Sequence, residues 1–358
     1  MSSAHPALRM PAEWEPHRAT WLAWPHHEPD WPGKFEAIPW VYAEIVRIIA
    51  RSEPVELLCR SDQVAERARA CLLAHAVDLD CVRLHIIPTD RVWLRDSAPT
   101  AVLEGADRVI LLDWAFNAWA KYDNWQLDAQ VGGAMAKITE LERREPRRPD
   151  GTERLVLEGG GIDTNGQGLL MVTEEWLLSD TQVRNPGLDR RAYEKLFEEW
   201  LGVRKTIWLG NSCVGDDTHG HVDDVARFVS ADTVVVAVDP DPSDDNHVRS
   251  MDNLVRLEMA ARDPEVGPLQ IVQLPFPQSV MMSGERLPAS YANFYIANGV
   301  VAVPTFNDPN DRVALSILSD LFPGREVVGI YARDLVWGLG TLHCLTQQEP
   351  QVQNQPIR

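Results

Sequence analysis

The sequence has no excess of basic residues. Its 358 residues include 34 lysines and arginines against 53 aspartates and glutamates, a formal net charge of −19 at pH 7. A nucleic-acid partner requires a basic surface, so this charge argues against one. The acidic field is expected to attract small cations, although the same charge would also serve solubility alone.

Long apolar runs and paired cysteines are also missing. No stretch approaches the ~18 consecutive apolar residues of a membrane helix, and Met1 to Arg9 lacks the apolar core of a signal peptide. The five cysteines are scattered and form no CxxC pair, which excludes a disulfide framework and a cysteine zinc site. We therefore expect a cytoplasmic protein without membrane contact, whose reduced thiols are available as nucleophiles.

Strand-like and helix-like segments alternate along the whole chain, which predicts an α/β fold. Asn298-Gly299 separates two apolar runs and predicts a tight hairpin, because both residues tolerate positive φ. Strand pairs punctuated by helices recur about five times, without a visible residue-level repeat. The polar run 140–153 is interpreted as a surface insertion, and the tail after Gln348 is expected to fray. The predicted strands are 55–59, 82–87, 108–112, 168–172, 233–239, 269–274 and 326–331, and the predicted helices are 38–48, 61–74, 127–141, 193–200 and 311–321.

Cys344 is the first candidate for chemistry. A lone cysteine is usually a small buried hydrophobe. Here Gly338 and Gly340 permit a close backbone approach, and His343 is a polar neighbour. A thiolate is the strongest side-chain nucleophile near neutral pH, and a cationic substrate beside it would lower the pKa of the thiol.

His221 and Asp223 lie two residues apart, a spacing that would place both on one face of a strand. That face would offer an imidazole for proton transfer and a carboxylate for a cation. A solvated acidic turn is the simpler interpretation. A third is a zinc site built from the His219-Gly-His221 pair with Asp224.

Three further residues suit a flat cation. Glu158 follows an apolar run and precedes three glycines. This pattern is typical of a strand end that faces an open space, and it is equally typical of a plain strand-to-turn junction. Asp96 could bind a planar guanidinium through two parallel hydrogen bonds, or it could simply pair with Arg95. Trp93 could stack on the cation, or it could only fill the core.

These segments resemble the agmatine deiminase branch of the guanidino-group-modifying superfamily, which includes bacterial proteins called peptidylarginine deiminases. The resemblance covers nearly the whole chain in five ordered motifs, so it is specific for the family and less so for the substrate. The motifs are Met10-Pro-Ala-Glu-Trp-Glu-Pro-His17 with Thr20-Trp-Leu-Ala-Trp-Pro25, Trp93-Leu-Arg-Asp96, Leu157-Glu-Gly-Gly160, Gly220-His-Val-Asp223 with Ala226-Arg-Phe228, and His343-Cys-Leu-Thr-Gln-Gln348.

The resemblance implies a fold and a set of roles. The fold would be one catalytic domain over residues 1–358, a pentein propeller of five ββαβ modules with pseudo-fivefold symmetry and a central active site. Cys344 would be the nucleophile, His221 the general acid and base, Asp96 and Asp223 the carboxylates that bind guanidinium nitrogens, and Glu158 the carboxylate between cation and imidazole. Trp93 and Asp217 are implied to hold the substrate tail.

The implied reaction is hydrolysis of agmatine to N-carbamoylputrescine and ammonia. It needs no metal and no organic cofactor, and its partner is a small cationic guanidino substrate. A homo-oligomer is compatible with the sequence, which does not decide the oligomeric state.

Two departures from the family pattern bear on the pocket. The family commonly shows Arg-Asp-Thr-Gly-Pro where this chain has Arg95-Asp-Ser-Ala98-Pro. Leu339 and Thr341 interrupt the glycine-rich run before the nucleophile, and we expect both to add bulk beside Cys344. Both departures concern the shape of the pocket more than the reaction.

Four other functions stay open at this point. They are deimination of peptidyl-arginine, a zinc hydrolase that uses His219 and His221, a guanidinium-binding protein without catalysis, and an arginine deiminase. The last would need a cationic partner for the substrate carboxylate, and the sequence offers none that is evident.

Overall fold

The computed structural model describes residues 7–352 and places strands and helices in alternation along them. The strands are β1 (Leu8–Arg9), β2 (His17–Ala23), β3 (Val55–Cys59), β4 (Val82–Ile86), β5 (Thr100–Glu104), β6 (Arg108–Leu112), β7 (Glu142–Arg144), β8 (Asp163–Thr164), β9 (Leu169–Thr173), β10 (Lys205–Leu209), β11 (Ala226–Ser230), β12 (Thr233–Val238), β13 (Gln270–Pro275), β14 (Met281–Met282), β15 (Glu285–Arg286), β16 (Tyr295–Ile296), β17 (Val300–Thr305), β18 (Glu326–Tyr331) and β19 (Gln347–Pro350). The helices are α1 (Ile38–Ile49), α2 (Asp62–Ala74), α3 (Leu94–Ser97), α4 (Val131–Thr139), α5 (Glu174–Leu178), α6 (Arg190–Leu201), α7 (Asp245–Ala260), α8 (Asn310–Leu321) and α9 (Leu342–Leu345).

Within these residues the strands form five sheets of three or four strands and one two-stranded hairpin, β14–β15. The five larger sheets share one arrangement. In each, an antiparallel strand pair is followed by a helix and a strand that returns parallel to the second strand of the pair. The arrangement is clearest in β11–β12–β13 with α7 and in β16–β17–β18 with α8. Because parallel neighbours need a long crossover, the helices fall between the paired strands.

One sheet joins the two ends of the described chain. Strand β19 pairs antiparallel with β2, and β2 pairs parallel with β3. The expectation that the tail frays after Gln348 is therefore wrong for residues up to Pro350, which belong to a strand; residues 353–358 lie outside the described part.

Local sequence signals explain several elements. Helix α2 begins after Ser61, whose hydroxyl accepts a hydrogen bond from the backbone N–H of Val64 at 3.3 Å. Helix α1 carries Pro39 in its first turn, where the missing N–H costs nothing. The predicted hairpin at Asn298-Gly299 is confirmed, since Ile296 pairs with Val301 across it.

Two predictions in the region 127–153 are wrong. The helix expected from 127 begins only at Val131, after a 3₁₀ turn, and ends at Thr139, before Glu140 with its left-handed φ of 58°. The run interpreted as an insertion contains β7, which pairs parallel with β6. Its charged side chains find partners on the same sheet, as in the 2.8 Å contact between Arg144 Nη2 and Glu104 Oε1.

The largest apolar cluster draws residues from both ends of the chain, from Trp21 in β2 to Leu345 in α9. The elements that carry the candidate residues, α3 and α9, are four residues long each and wholly buried. They are held by this core rather than by their own hydrogen bonds, because so short a helix is not stable alone. No helix in residues 7–352 is both long and apolar enough to cross a membrane.

Candidate active site

Three of the candidate side chains converge on Gly160. A methyl group added at Gly160 would lie 2.6 Å from His221 Nδ1, 2.8 Å from Asp96 Oδ1 and 3.1 Å from Asp223 Oδ2. A side chain there would collide with all of them, so the glycine allows an imidazole and two carboxylates to share one small volume. The sequence segments that carry these groups are thus brought together as predicted.

Asp96 lies on α3 and does not pair with Arg95. It accepts hydrogen bonds from the backbone N–H of Gly160 and from Trp119 Nε1, both at 2.9 Å. The Arg95 guanidinium instead donates to Gln348 Oε1 at 2.8 Å and to Glu13 Oε2 at 3.3 Å. Burial raises the pKa of Asp96 to about 6, because the charge of His221 only partly offsets it.

His221 and Asp223 do not lie on a strand, as the spacing had suggested. His221 precedes a 3₁₀ turn, Val222–Asp224, and the side chains of His221 and Asp223 still share one space, since both face Gly160. The Oδ1 atom of Asp223 and the Nε2 atom of His221 are buried without a hydrogen-bond partner among the described residues. Such atoms are costly to leave unpaired. His221 Nε2 lies 3.6 Å from Glu158 Oε2, whereas Asp223 Oδ1 is free to accept from a bound cation.

Glu158 is completely buried behind His221. Its Oε1 accepts from Arg184 Nε at 3.0 Å, its Oε2 accepts from Trp176 Nε1 at 2.7 Å, and the same Oε2 lies 3.6 Å from His221 Nε2. Burial would raise the pKa of Glu158, but the charge of Arg184 and the nearby imidazole lower it to about 2. Glu158 therefore stays ionised at neutral pH.

The imidazole of His221 lies between two carboxylates. Its Nδ1 is 3.7 Å from Asp96 Oδ1, on the opposite side of the ring from Glu158. Burial alone would lower the pKa of His221, but the charges of Asp96 and Glu158 raise it to about 9. The ring therefore carries a proton at neutral pH that it can donate, as a general acid must.

Cys344 lies on α9, lines a cavity and is 7% exposed. Its Sγ atom is 3.7 Å from Asp223 Oδ2 and 3.1 Å from Asn293 Nδ2. Burial, followed by the charges of Asp223, Asp224 and Asp96, raises the pKa of Cys344 well above its ordinary value. In the free protein the group is a thiol, and a cation placed among these carboxylates would favour the thiolate.

A buried histidine next to the thiol was noted in the sequence only as a polar neighbour. His343 Nδ1 lies 2.7 Å from Asp223 Oδ2, and His343 Nε2 lies 2.8 Å from Glu13 Oε2. Burial raises the pKa of Asp223, but the hydrogen bond and charge of His343 outweigh it, so the pKa is lowered. Glu13, from the N-terminal motif, thereby takes part in holding the site.

The cavity measures about 620 Å³ and contains the thiol, Asp96 and both residues proposed for the substrate tail, Trp93 and Asp217. Trp93 packs against Gly340, where a methyl group would lie 2.7 Å from the ring. Asp217 already has partners, since Tyr122 donates to it at 2.7 Å and Lys121 forms an ion pair with it.

The structure corrects two expectations about the cavity wall. Leu339 lines the cavity, but Thr341 does not; its buried hydroxyl donates to Asn293 Oδ1 at 2.7 Å. Cationic residues do line the cavity, namely Arg91 and Arg286. Each already has an acidic partner, because Arg91 pairs with Asp30 and Arg286 Nη1 lies 2.8 Å from Asp244 Oδ1.

His219 and His221, the pair considered as zinc ligands, do not face a common site. His219 Nε2 lies 2.9 Å from Ser179 Oγ, whereas His221 faces Asp96 and Glu158. Asp224, the third suggested ligand, accepts from Asn293 Nδ2 at 3.0 Å. Among residues 7–352, no group of three or more histidine, cysteine or acidic side chains is arranged to hold a metal ion.

Cys344 and Asp96 line one cavity, His221 lies 3.7 Å from Asp96, and Asp223 lies 3.7 Å from the thiol. A thiol, an imidazole and carboxylates so placed are the groups that an enzyme needs to attack a cationic substrate. The chain belongs to the Porphyromonas-type peptidyl-arginine deiminase family, whose sequence model matches residues 9–350. The family predicted from the motifs is confirmed, and with it an enzyme that hydrolyses guanidino groups.

Similar proteins and solved structures support the same family. The chain is 37% identical to the agmatine deiminase of Pseudomonas aeruginosa (strain LESB58), over 96% of this chain and 95% of that protein. Among solved structures, the agmatine deiminase of Enterococcus faecalis is similar with a TM-score of 0.87 and 29% identity, covering 98% of this chain and 99% of that one. A cysteine-to-serine variant of the C. jejuni agmatine deiminase with substrate bound is similar with a TM-score of 0.85 and 26% identity, covering 96% and 97%.

Proposed function

We propose that this enzyme hydrolyses agmatine to N-carbamoylputrescine and ammonia. The observation that carries the proposal is the buried Cys344 thiol, which faces Asp223, with its unpaired Oδ1 atom, and Asp96. A guanidinium is planar and carries N–H donors that match carboxylates. The names of the relatives favour agmatine as the compound that supplies this guanidinium group.

In the first step the guanidinium binds between Asp96 and Asp223. Its positive charge offsets the repulsion that these carboxylates exert on the sulfur, so the Cys344 thiol gives its proton to water and the thiolate forms. Glu158 does not need to touch the substrate, because Arg184 and Trp176 occupy its two oxygens. It acts instead by keeping the imidazole of His221 charged.

In the second step the thiolate attacks the guanidinium carbon, and an S–C bond forms. His221 gives its proton to one nitrogen, the C–N bond breaks, and ammonia leaves. The S-alkylthiouronium that remains is attacked by water, from which the now neutral His221 takes a proton. The S–C bond then breaks with its electron pair returning to the sulfur, and the proton of the added hydroxyl passes to water, which releases the neutral ureido product and the Cys344 thiolate.

Binding of agmatine is expected to weaken below about pH 6, because Asp96, with a pKa of about 6, must be ionised to bind a cation. Each further pH unit should cost about tenfold in affinity. Calorimetric titration of agmatine into Cys344→Ser between pH 5 and pH 8 measures this. The double variant Cys344→Ser/Asp96→Asn should bind weakly at every pH; a pH dependence that survives in it would contradict the assignment to Asp96.

Leu339→Gly is expected to widen the range of accepted guanidines. Leu339 lines the cavity and holds a left-handed φ of 69°, a conformation that favours glycine. Removing its side chain should raise kcat/KM for arginyl peptides, relative to agmatine, by about tenfold. Thr341→Ser is the matched control, since its methyl group does not line the cavity; an unchanged substrate ratio in Leu339→Gly would refute the prediction.

Ammonia release across agmatine, arginine, arginyl peptides and other guanidines tests the proposed function. We expect the highest kcat/KM for agmatine, which is a dication suited to an acidic protein. Citrullination of peptides at a higher kcat/KM would make the protein a peptidylarginine deiminase. Binding of agmatine without ammonia release would indicate a binding protein.

Three expectations of wider scope belong to the same proposal. The five sheets are proposed to be blades of a pentein propeller about a pseudo-fivefold axis, in a single domain over residues 1–358. Their shared ββαβ order and the pairing of β19 with β2 support this. A cytoplasmic location is supported by the five free cysteines. Assembly as a homo-oligomer stays a prediction.

A further inference from the structure

Asp30 is a buried carboxylate of the cavity wall that lies outside the sequence motifs. It ends a 3₁₀ turn, Glu28–Asp30, between β2 and α1, and is 8% exposed. It lines the same cavity as Cys344 and Asp96. Its Oδ1 atom forms an ion pair with Arg91, whereas its Oδ2 atom is buried without a hydrogen-bond partner among residues 7–352. A buried carboxylate oxygen is costly to leave unpaired, so Oδ2 is suited to accept a donor from a ligand.

The position of Asp30 is fixed by its neighbour, Trp31. The indole Nε1 of this fully buried residue donates to the backbone oxygen of Leu335 at 2.8 Å. Its ring packs against Gly338, where an added methyl group would lie 2.6 Å from Nε1, and its centroid lies 5.7 Å from that of Trp93. The core therefore holds the carboxylate at the cavity, and little reorganisation is needed when a ligand binds.

The other carboxylates of the cavity wall are less suited to a second cation. Both oxygens of Asp217 already accept donors, from a lysine and a tyrosine. Glu285 is exposed, so water competes for its oxygens. Asp96 is proposed to bind the guanidinium. Asp30 is thus the carboxylate in the described part of this wall that combines burial with an unpaired oxygen.

Asp30 and the thiol lie near the same buried ring. Burial, followed by the charges of Asp30 and Cys344, raises the pKa of Tyr42 well above its ordinary value. Agmatine carries a guanidinium at one end and an ammonium at the other, joined by a short butane chain. A guanidinium bound at Asp96 beside the sulfur leaves this chain free to extend along the cavity toward Asp30.

We propose that Asp30 determines substrate specificity by accepting a hydrogen bond from the distal ammonium group of the substrate at its Oδ2 atom. The inference rests on the proposed function, in which the guanidinium binds beside Cys344. An ammonium has three N–H donors, one of which can pair with this oxygen. An uncharged, apolar tail would leave the oxygen unpaired, and a site built to accept a hydrogen bond rejects a substrate that lacks the donor.

The test compares agmatine with butylguanidine, which lacks only the ammonium group. In the unaltered enzyme we expect kcat/KM to favour agmatine by about 10- to 100-fold, as for a hydrogen bond to a charged group. Asp30→Asn should abolish most of this preference by raising KM for agmatine. The matched control is Asp113→Asn, which alters a buried aspartate 3.3 Å from Arg154, outside the cavity, and should keep the preference.

A gain of activity separates this role from a merely structural one. Guanidinobutanoate carries a carboxylate in place of the ammonium. In Asp30→Asn the Arg91 guanidinium loses its acidic partner but stays held, by Asn124 Oδ1 at 3.3 Å and by the ring of Tyr122, whose centroid is 4.2 Å away. We expect kcat/KM for guanidinobutanoate to rise by about tenfold in this variant. Misfolding cannot produce such a gain.

A second variant examines the same contact if Asp30→Asn does not fold. Arg91→Gln removes the cation that shares Asp30 and leaves the carboxylate in place. The preference for agmatine over butylguanidine should then rise, and guanidinobutanoate should not improve. A preference that falls in Arg91→Gln would count against the proposal.

The proposal is overturned if Asp30→Asn keeps the preference of the unaltered enzyme, or if Asp217→Asn or Glu285→Gln lowers it further. Calorimetry at pH 8 in a Cys344→Ser background compares the Kd of agmatine and butylguanidine without turnover. If the unaltered enzyme hydrolyses neither compound, the proposed function fails, whereas the difference in Kd, and its loss on adding Asp30→Asn, still tests Asp30. Equal Kd values for the two compounds would refute the ammonium contact.

Discussion

Cys344→Ser is expected to abolish ammonia release from agmatine, by a factor on the order of 10⁴ or more. A serine hydroxyl holds its proton far more tightly than a thiol, and the carboxylates that raise the pKa of Cys344 would oppose an alkoxide more strongly still. The carboxylates that bind the guanidinium remain in place. Calorimetry should therefore still detect agmatine binding in the inactive variant, while an ammonia assay detects no turnover above background.

The control for this result is Cys71→Ser. Cys71 is a half-buried thiol on α2, outside the cavity, whose sulfur contacts the backbone oxygen of Pro39 at 3.5 Å. A serine retains that donor, so its activity should equal that of the unaltered enzyme. Normal turnover in Cys344→Ser would refute the covalent mechanism, and loss of turnover in both variants would point to a general effect of thiol removal.

His221→Gln is expected to lower kcat by a factor of about 10²–10⁴, the usual contribution of a positioned acid and base. It should also change how stability depends on pH. Burial lowers the pKa of His221, but Asp96 and Glu158 more than compensate and raise it to about 9. A raised pKa means that the charged ring stabilises the folded state fully below the unfolded value of ~6.5, and that this contribution is lost as the pH rises through about 9.

Urea denaturation at pH 6.5 and pH 9.5 measures the second effect. The unaltered enzyme should lose on the order of a few kcal/mol of unfolding free energy between these values, and His221→Gln should lose less. His219→Gln is the matched control, since His219 contacts Ser179 rather than the carboxylates. If both histidine variants were inactive and a chelator abolished turnover of the unaltered enzyme, the zinc hydrolase would be the better description.

The residues proposed to perform the chemistry could be named from the sequence because each lies in a short, recognisable motif. Cys344 and Asp96 line one cavity, His221 and Asp223 meet Asp96 at Gly160, and Glu158 lies 3.6 Å from the imidazole. The motifs specify residue types and their order along the chain. They do not show which other side chains contact these residues and hold them in position.

The supporting residues were missed for that reason. Asn293 is 51 residues from the cysteine that it contacts, and Glu13 is 330 residues from His343. Arg184 contacts Glu158 from a segment without a motif of its own. Partners so far apart in sequence become neighbours only through the fold, and no spacing rule links them.

Errors in the secondary structure have a similar origin. β7 is a short, charged strand at the edge of its sheet, and an apolar pattern cannot reveal a strand whose side chains form ion pairs. His221 and Asp223 were assigned to a strand because their spacing matched one. The structure has a 3₁₀ turn there instead, and both side chains still face Gly160.

The pairing of β19 with β2 has a consequence for how the enzyme gains activity as it folds. The nucleophile directly precedes β19, and its neighbour His343 needs Glu13, which precedes β2. The two ends of the described chain must meet before the thiol is correctly placed, and closing so long a loop is slow and entropically costly. Catalytic activity should consequently be among the last properties to return on refolding, which makes ammonia release a sensitive reporter of whether these end strands have docked.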